Sequence, residues 1–82
     1  MVRQLCVELT FLDSLQQVAG RPTMWLEVPA PGTIARLLAL LCERHPQFVG
    51  VDMQVLVNGA PSSPQQQLRV GDGVFLLPKT AG

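Results

Sequence analysis

Charge of neither sign prevails in this sequence. Six lysines and arginines balance six aspartates and glutamates, and charged residues are only 15% of the chain. Without a basic surplus there is no electrostatic footprint for nucleic acid or an anionic membrane, so neither is expected as a partner. Long apolar runs are missing too. The longest, Leu37 to Cys42, falls far below the roughly 20 residues that span a bilayer. The N-terminus also lacks the basic-then-apolar order of a signal peptide, and a cytoplasmic location is expected. Soft ligands are scarce: two cysteines and one histidine, with no CxxC or HxxxH spacing, fall short of a zinc site. Cys42 and His45 share one helical pattern, yet nothing beside them offers an orienting acid or an oxyanion site. Paired carboxylates and a phosphate loop are absent. Asp13, Asp52 and Asp72 stand singly at turn-like positions, and "VAGRP" lacks the second glycine and the lysine of a P-loop. Catalysis by the chain itself is the weakest reading.

What is present is an apolar, foldable chain. Eighty-two residues make one domain, and 48% are hydrophobic, which excludes a disordered segment. At this size folding hides only about 60% of the surface of the unfolded chain. Part of that apolar content therefore stays outside, where a partner is expected to dock.

In "RQLCVELTF", Leu5, Val7, Leu9 and Phe11 recur at period two with Gln4, Cys6, Glu8 and Thr10 between them, the pattern of a half-buried strand. Cys6 here, and Cys42 on the apolar face of the later helix, read as small buried hydrophobes. "LDSLQQVAG" predicts a short helical turn capped by Asp13 or Ser14 and ended by Gly20. Thr23 to Val28, bounded by Pro22 and Pro29, reads as a second strand paired with the first. After "PAPG", Thr33 is a good N-cap, and Ile34, Leu37, Leu38, Leu41 and Cys42 form the stripe of an amphipathic helix. Arg36, Glu43 and Arg44 point away from it. Pro46 disfavours helical geometry at His45, so the helix runs from Thr33 to Arg44 with His45 at its end.

The last third is β again. "QVLV" leads into Asn58-Gly59, a dipeptide suited to positive φ, and the prolines that follow make any return strand a short edge. In "LRVGDGVFLLP" a Gly-Asp-Gly turn, with Asp72 as turn chemistry, precedes a strand whose Val74, Phe75, Leu76 and Leu77 are all apolar. One face of that strand must pack on the helix. The other is left for a partner, with Phe75 as the exposed aromatic anchor and Leu77 and Pro78 beside it.

The order strand, strand, helix, strand, strand gives an α+β fold: a mixed sheet packed on one main helix, as in the β-grasp (ubiquitin-like) architecture. A right-handed crossover makes the first and last strands parallel neighbours. The domain covers residues 1–78. Residues 79–82 form a flexible tail, because no side chain in it exceeds alanine in apolar size and ordering costs roughly 1 to 2 kcal/mol per residue.

Taken together, "FLDSLQQVAG", "PGTIARLLALLCERHP", "VNG" and L-x-x-GD-x-V-x-LLP with its Ala-Gly ending resemble the MoaD/ThiS family of ubiquitin-like sulfur carriers. The likeness covers nearly the whole chain and is nearer the MoaD branch. It implies a carrier that holds no cofactor. Its partners would be a ubiquitin-activating-like adenylyltransferase, which uses ATP, and a synthase subunit that receives the sulfur for a molybdopterin-type cofactor or another sulfur-containing metabolite. The terminal carboxylate, here that of Gly82, would be adenylated and converted to a thiocarboxylate. Lys79, Thr80 and Ala81 would thread into the partner, where a thin chain is required. Family members end in Gly-Gly, whereas "LLPKTAG" ends in Ala-Gly. Either one further glycine is lacking, the preferred alignment because alanine often precedes Gly-Gly, or Ala81 replaces the first glycine. A ubiquitin-like docking module that is never activated is the alternative function.

Overall fold

The structure is a computed structural model that describes residues 3–79. Strand β1 (Gln4–Phe11) buries Val7, Leu9 and Phe11, while Gln4, Cys6 and Glu8 on the other face are exposed. A five-residue helix α1 (Leu15–Ala19) follows, with Leu15 buried and Gly20 closing it at φ 77°. Ser14 is at its N-cap without a side-chain hydrogen bond, so the side-chain cap expected from Asp13 or Ser14 is not made. Strand β2 (Thr23–Pro29) buries Met24, Leu26 and Val28 and exposes Thr23, Trp25 and Glu27.

Helix α2 (Ile34–Arg44) begins where the sequence places it: Thr33 Oγ1 accepts the Arg36 N–H at 3.2 Å. The free N–H groups of a helix's first turn need partners. Here a later loop supplies them, as the carbonyls of Gln66 and Pro64 accept the Ile34 and Ala35 N–H groups at 3.0 and 2.9 Å. The same loop buries Leu68 and pairs Gln67 with Thr33. Gly32 leads in under tight contact, for a Cβ there would stand 2.7 Å from Val28 Cγ1 and 3.0 Å from the Pro29 carbonyl. His45 is the C-cap of α2, its N–H donating to Leu41 O, and Pro46–Phe48 form one 3-10 turn. That turn drives Phe48 into the core, stacked on Phe11 with ring centroids 5.4 Å apart.

Strand β3 (Met53–Val57) turns at Asn58 (φ 53°) and Gly59 (φ 84°), the positive-φ pair expected there, into a two-residue strand β4 (Ala60–Pro61). Strand β5 (Gly73–Pro78) completes a sheet of order β2-β1-β5-β3-β4, with β5 parallel to β1 and antiparallel to β3. The α+β reading and the parallel contact of first and last strands are both found. β5 thus lies in the middle of the sheet, between β1 and β3.

Three readings of burial need correction as well. Cys6 is exposed rather than buried, because its place in the alternation groups it with Gln4 and Glu8 on the face away from α2. Cys42 is half-buried, packed on the margin of the core. Leu38 is half-buried also: Ile34, Leu37 and Leu41 carry the buried stripe, and Leu38 lies at its flank.

Candidate functional site

Strand β5 divides its side chains between two environments. Val74 and Leu76 have no exposed surface, whereas Phe75, between them, is 37% exposed. The reason is register. Phe75 lies beside Thr10 of β1 and Leu56 of β3, and Leu77 lies beside Gln54, all on the face that α2 does not cover. Phe75, Leu77 and Leu56 therefore form an apolar patch on the open face, and Leu77 and Leu56 are half-buried by their neighbours. Phe75 is placed outward, as expected, although alternation by itself left open which of the two pairs would face the helix.

Pro78, expected beside Phe75 and Leu77, alternates instead onto the α2 side with Val74 and Leu76, where it pairs with Met53 and is half-buried. Lys79, assigned to the tail from sequence, is exposed, but its backbone N–H still donates to the Asp52 carbonyl at 3.0 Å. The sheet's hydrogen bonding thus reaches one residue beyond the expected boundary. Thr80, Ala81 and Gly82, the remaining tail positions and the predicted thiocarboxylate site, lie outside the described residues. Where the chain leaves the sheet, a groove of about 520 Å³ opens between α2 and β3. Ile34, Leu38, Met53, Ser62, Pro64 and Lys79 line it.

At the other end of β5 a polar clasp fixes its start. Asp72 Oδ2 accepts the Arg69 N–H at 2.8 Å and Asp72 Oδ1 accepts Asn58 Nδ2–H at 3.1 Å. Asn58 Oδ1 in turn accepts the Gly73 N–H at 3.0 Å. Asp72 is thus turn chemistry, as read from the sequence. The tie to Asn58 was not: the two lie fourteen residues apart, and only their shared place in "VNG" and "GDG" hinted at a link.

Trp25 is the larger omission. It is 64% exposed on the open face, opposite Glu8 and in the same strand row as Thr23 and Glu27. Its position between those two polar residues was the available signal. Among the described residues no three His, Cys, Asp or Glu side chains converge as metal ligands. No described helix is long and apolar enough to cross a membrane.

A mixed five-stranded sheet in this order, crossed on one face by a single long helix and left open on the other, is a ubiquitin-like β-grasp domain. Solved structures of similar fold include three small proteins. One is described as molybdopterin converting factor, subunit 1, from Pyrococcus furiosus, with a TM-score of 0.86, 23% identity, and 93% of this chain and 99% of that chain covered. Small archaeal modifier protein 1 of Haloferax volcanii aligns at TM-score 0.83 and 24% identity, covering 93% of this chain and 99% of that one. Urm1 from Trypanosoma brucei aligns at TM-score 0.72 and 18% identity, covering 100% and 99%. No protein-family model and no curated protein matches the sequence.

Proposed function

We propose that this chain is a sulfur carrier protein. Its C-terminal carboxylate attacks the α-phosphorus of ATP on a ubiquitin-activating-like enzyme, releasing pyrophosphate and leaving an acyl-adenylate. Hydrosulfide, or a persulfide with a reductant, then displaces AMP to give the thiocarboxylate. A carboxylate resists nucleophiles until so activated, and the thiocarboxylate returns sulfur as a nucleophile to a synthase subunit. The sulfur goes to a molybdopterin-type cofactor or another sulfur-containing metabolite, in the cytoplasm.

One observation carries the reading. The last strand is central in the sheet and ends at Pro78 beside the Phe75 and Leu77 patch, so a partner gripping the patch has the tail within reach. In support, the fold is shared over nearly the whole length with proteins described as a converting-factor subunit and a modifier protein. The carrier is itself a substrate of its partners, with no chemistry of its own beyond the terminal carboxylate. Phe75 is the anchor of the docking surface and Leu77 extends it toward the tail, while Pro78 falls on the α2 side of the strand.

The test uses three chains: the present one, one extended by a glycine after Gly82, and one cut after Pro78. Each is incubated with ATP, sulfide and the activating enzyme encoded by its source, and read by intact-protein mass spectrometry. A carrier gains the mass difference between sulfur and oxygen in at least one of the first two chains and never in the third. Reaction of the present chain shows that Ala81 is tolerated in the activating channel. Reaction of the extended chain alone shows that a further glycine is required. If neither reacts, the carrier reading fails and a docking module that is never activated replaces it.

A further inference from the structure

The two edges of the sheet are unequal. β4 is two residues long and ends in Pro61, which has no N–H to offer, so that edge is blunted. β2 at the other edge is seven residues long. Its orientation follows from two bonds at its ends: Phe11 N–H donates to Pro22 O, and Ala30 N–H donates to Arg3 O. In an antiparallel ladder, hydrogen-bonded pairs alternate with non-bonded ones. With the β1–β2 register unbroken between those ends, Met24, Leu26 and Val28 are the residues that bond to β1. The N–H and C=O groups of Thr23, Trp25 and Glu27 therefore point out of the sheet. No hydrogen bond among the described residues uses them.

From this we infer that β2 pairs with β2 of a second copy of this chain, antiparallel, with Trp25 opposite Trp25, joining two sheets into one continuous sheet. The strand is self-complementary in that register. Trp25 exchanges both bonds with its symmetry mate, and Thr23 of each copy does so with Glu27 of the other, so every outward backbone group of the three residues is satisfied. The side chains agree. Each Glu27 carboxylate lies beside a threonine hydroxyl rather than a second carboxylate, and the two exposed indoles cover one another on the open face.

The limits of the ladder are written into the strand. The next pair would be Arg21 with Pro29, and a proline cannot donate. Slipping the register by one hydrogen-bonding step sets Thr23 against Pro29 in one direction. In the other it carries Glu27 past the end of the strand onto Arg21. Phe75 lies two strands inward on β5, so the pairing leaves the patch of both copies uncovered. The inference stands apart from the sulfur-carrier reading and is tested without it.

Sedimentation equilibrium from micromolar to millimolar chain concentration is the first measurement, with a rise toward twice the single-chain mass expected. Trp25→Pro is the specific variant. It removes an outward N–H and the indole while leaving every bond to β1, and it should weaken dimerisation at least tenfold with the circular-dichroism spectrum retained. Should that variant fail to fold, Trp25→Cys in a Cys6→Ser background replaces it. A symmetric antiparallel pair holds its Cα atoms about 5.5 Å apart, within disulfide range. Mild oxidation should then cross-link it, whereas Ala60→Cys in the same background should stay single. A single-chain mass at every concentration, undiminished dimer in folded Trp25→Pro, or equal cross-linking at residues 25 and 60 overturns the inference.

Discussion

The two faces of strand β5 are made of the same kind of residue and do opposite things. Val74 and Leu76 are fully enclosed between the sheet and α2, and Phe75 and Leu77 lie one residue away on the face that no helix covers. An apolar side chain removed from water stabilises the fold by roughly 1.5 to 3 kcal/mol. One left at the surface holds that free energy in reserve for a partner. Hydrophobicity alone does not separate structure from recognition here; the pleat of the strand does.

The comparison is broken most sharply by truncating the enclosed side. Leu76→Ala should lose about 2 to 5 kcal/mol in denaturant titration, since it opens a cavity among residues that are already close-packed. A loss no larger than that of an open-face truncation would mean that the two faces are not energetically distinct. Gly32→Ala should follow, at about 1 to 3 kcal/mol, because the added methyl meets Val28 Cγ1 at 2.7 Å and the lead-in to α2 has to shift. A rise or no change in melting temperature would show that β2 and the α2 lead-in separate freely.

A finer division is visible on α2 itself. Leu37 is fully enclosed and Leu38 is half-buried at the groove beside Met53 and Lys79. Leu37→Ala should therefore cost about 2 to 5 kcal/mol and Leu38→Ala clearly less, about 1 to 2. Equal costs in paired chevron or equilibrium measurements would return Leu38 to the core. The smallest effect on folding belongs to Phe75→Ala, about 1 kcal/mol or less, as for a cross-strand contact on an open sheet face. Its effect on partner affinity should be the reverse, about 2 kcal/mol or more against the activating enzyme by calorimetry. Unchanged affinity, or a collapsed fold, would move Phe75 out of the docking surface.

Much of this was legible in the residues. The period-two pattern of Gln4–Phe11, the Thr33 cap, the stop at Pro46 and the Asn58-Gly59 turn were each local signals, and each is found. Cys6 was misread by residue type although its alternation placed it outside, and Leu38 was misread because a helical stripe shows which side faces the sheet but not where the covering ends. Phe48 gave no signal: a single aromatic after His-Pro reaches the core only because the 3-10 turn points it at Phe11.

By itself, then, the sequence determined the order and kind of its elements, because periodicity, caps and turn dipeptides act over a few neighbouring residues. Tertiary structure alone decided which apolar residues of β5 face the helix, that Asn58 clasps Asp72, that a distant loop satisfies the start of α2, and that β2 is left as a long free edge carrying Trp25. Each of these depends on which strand lies beside which, and strand neighbours are chosen by the whole chain closing one core.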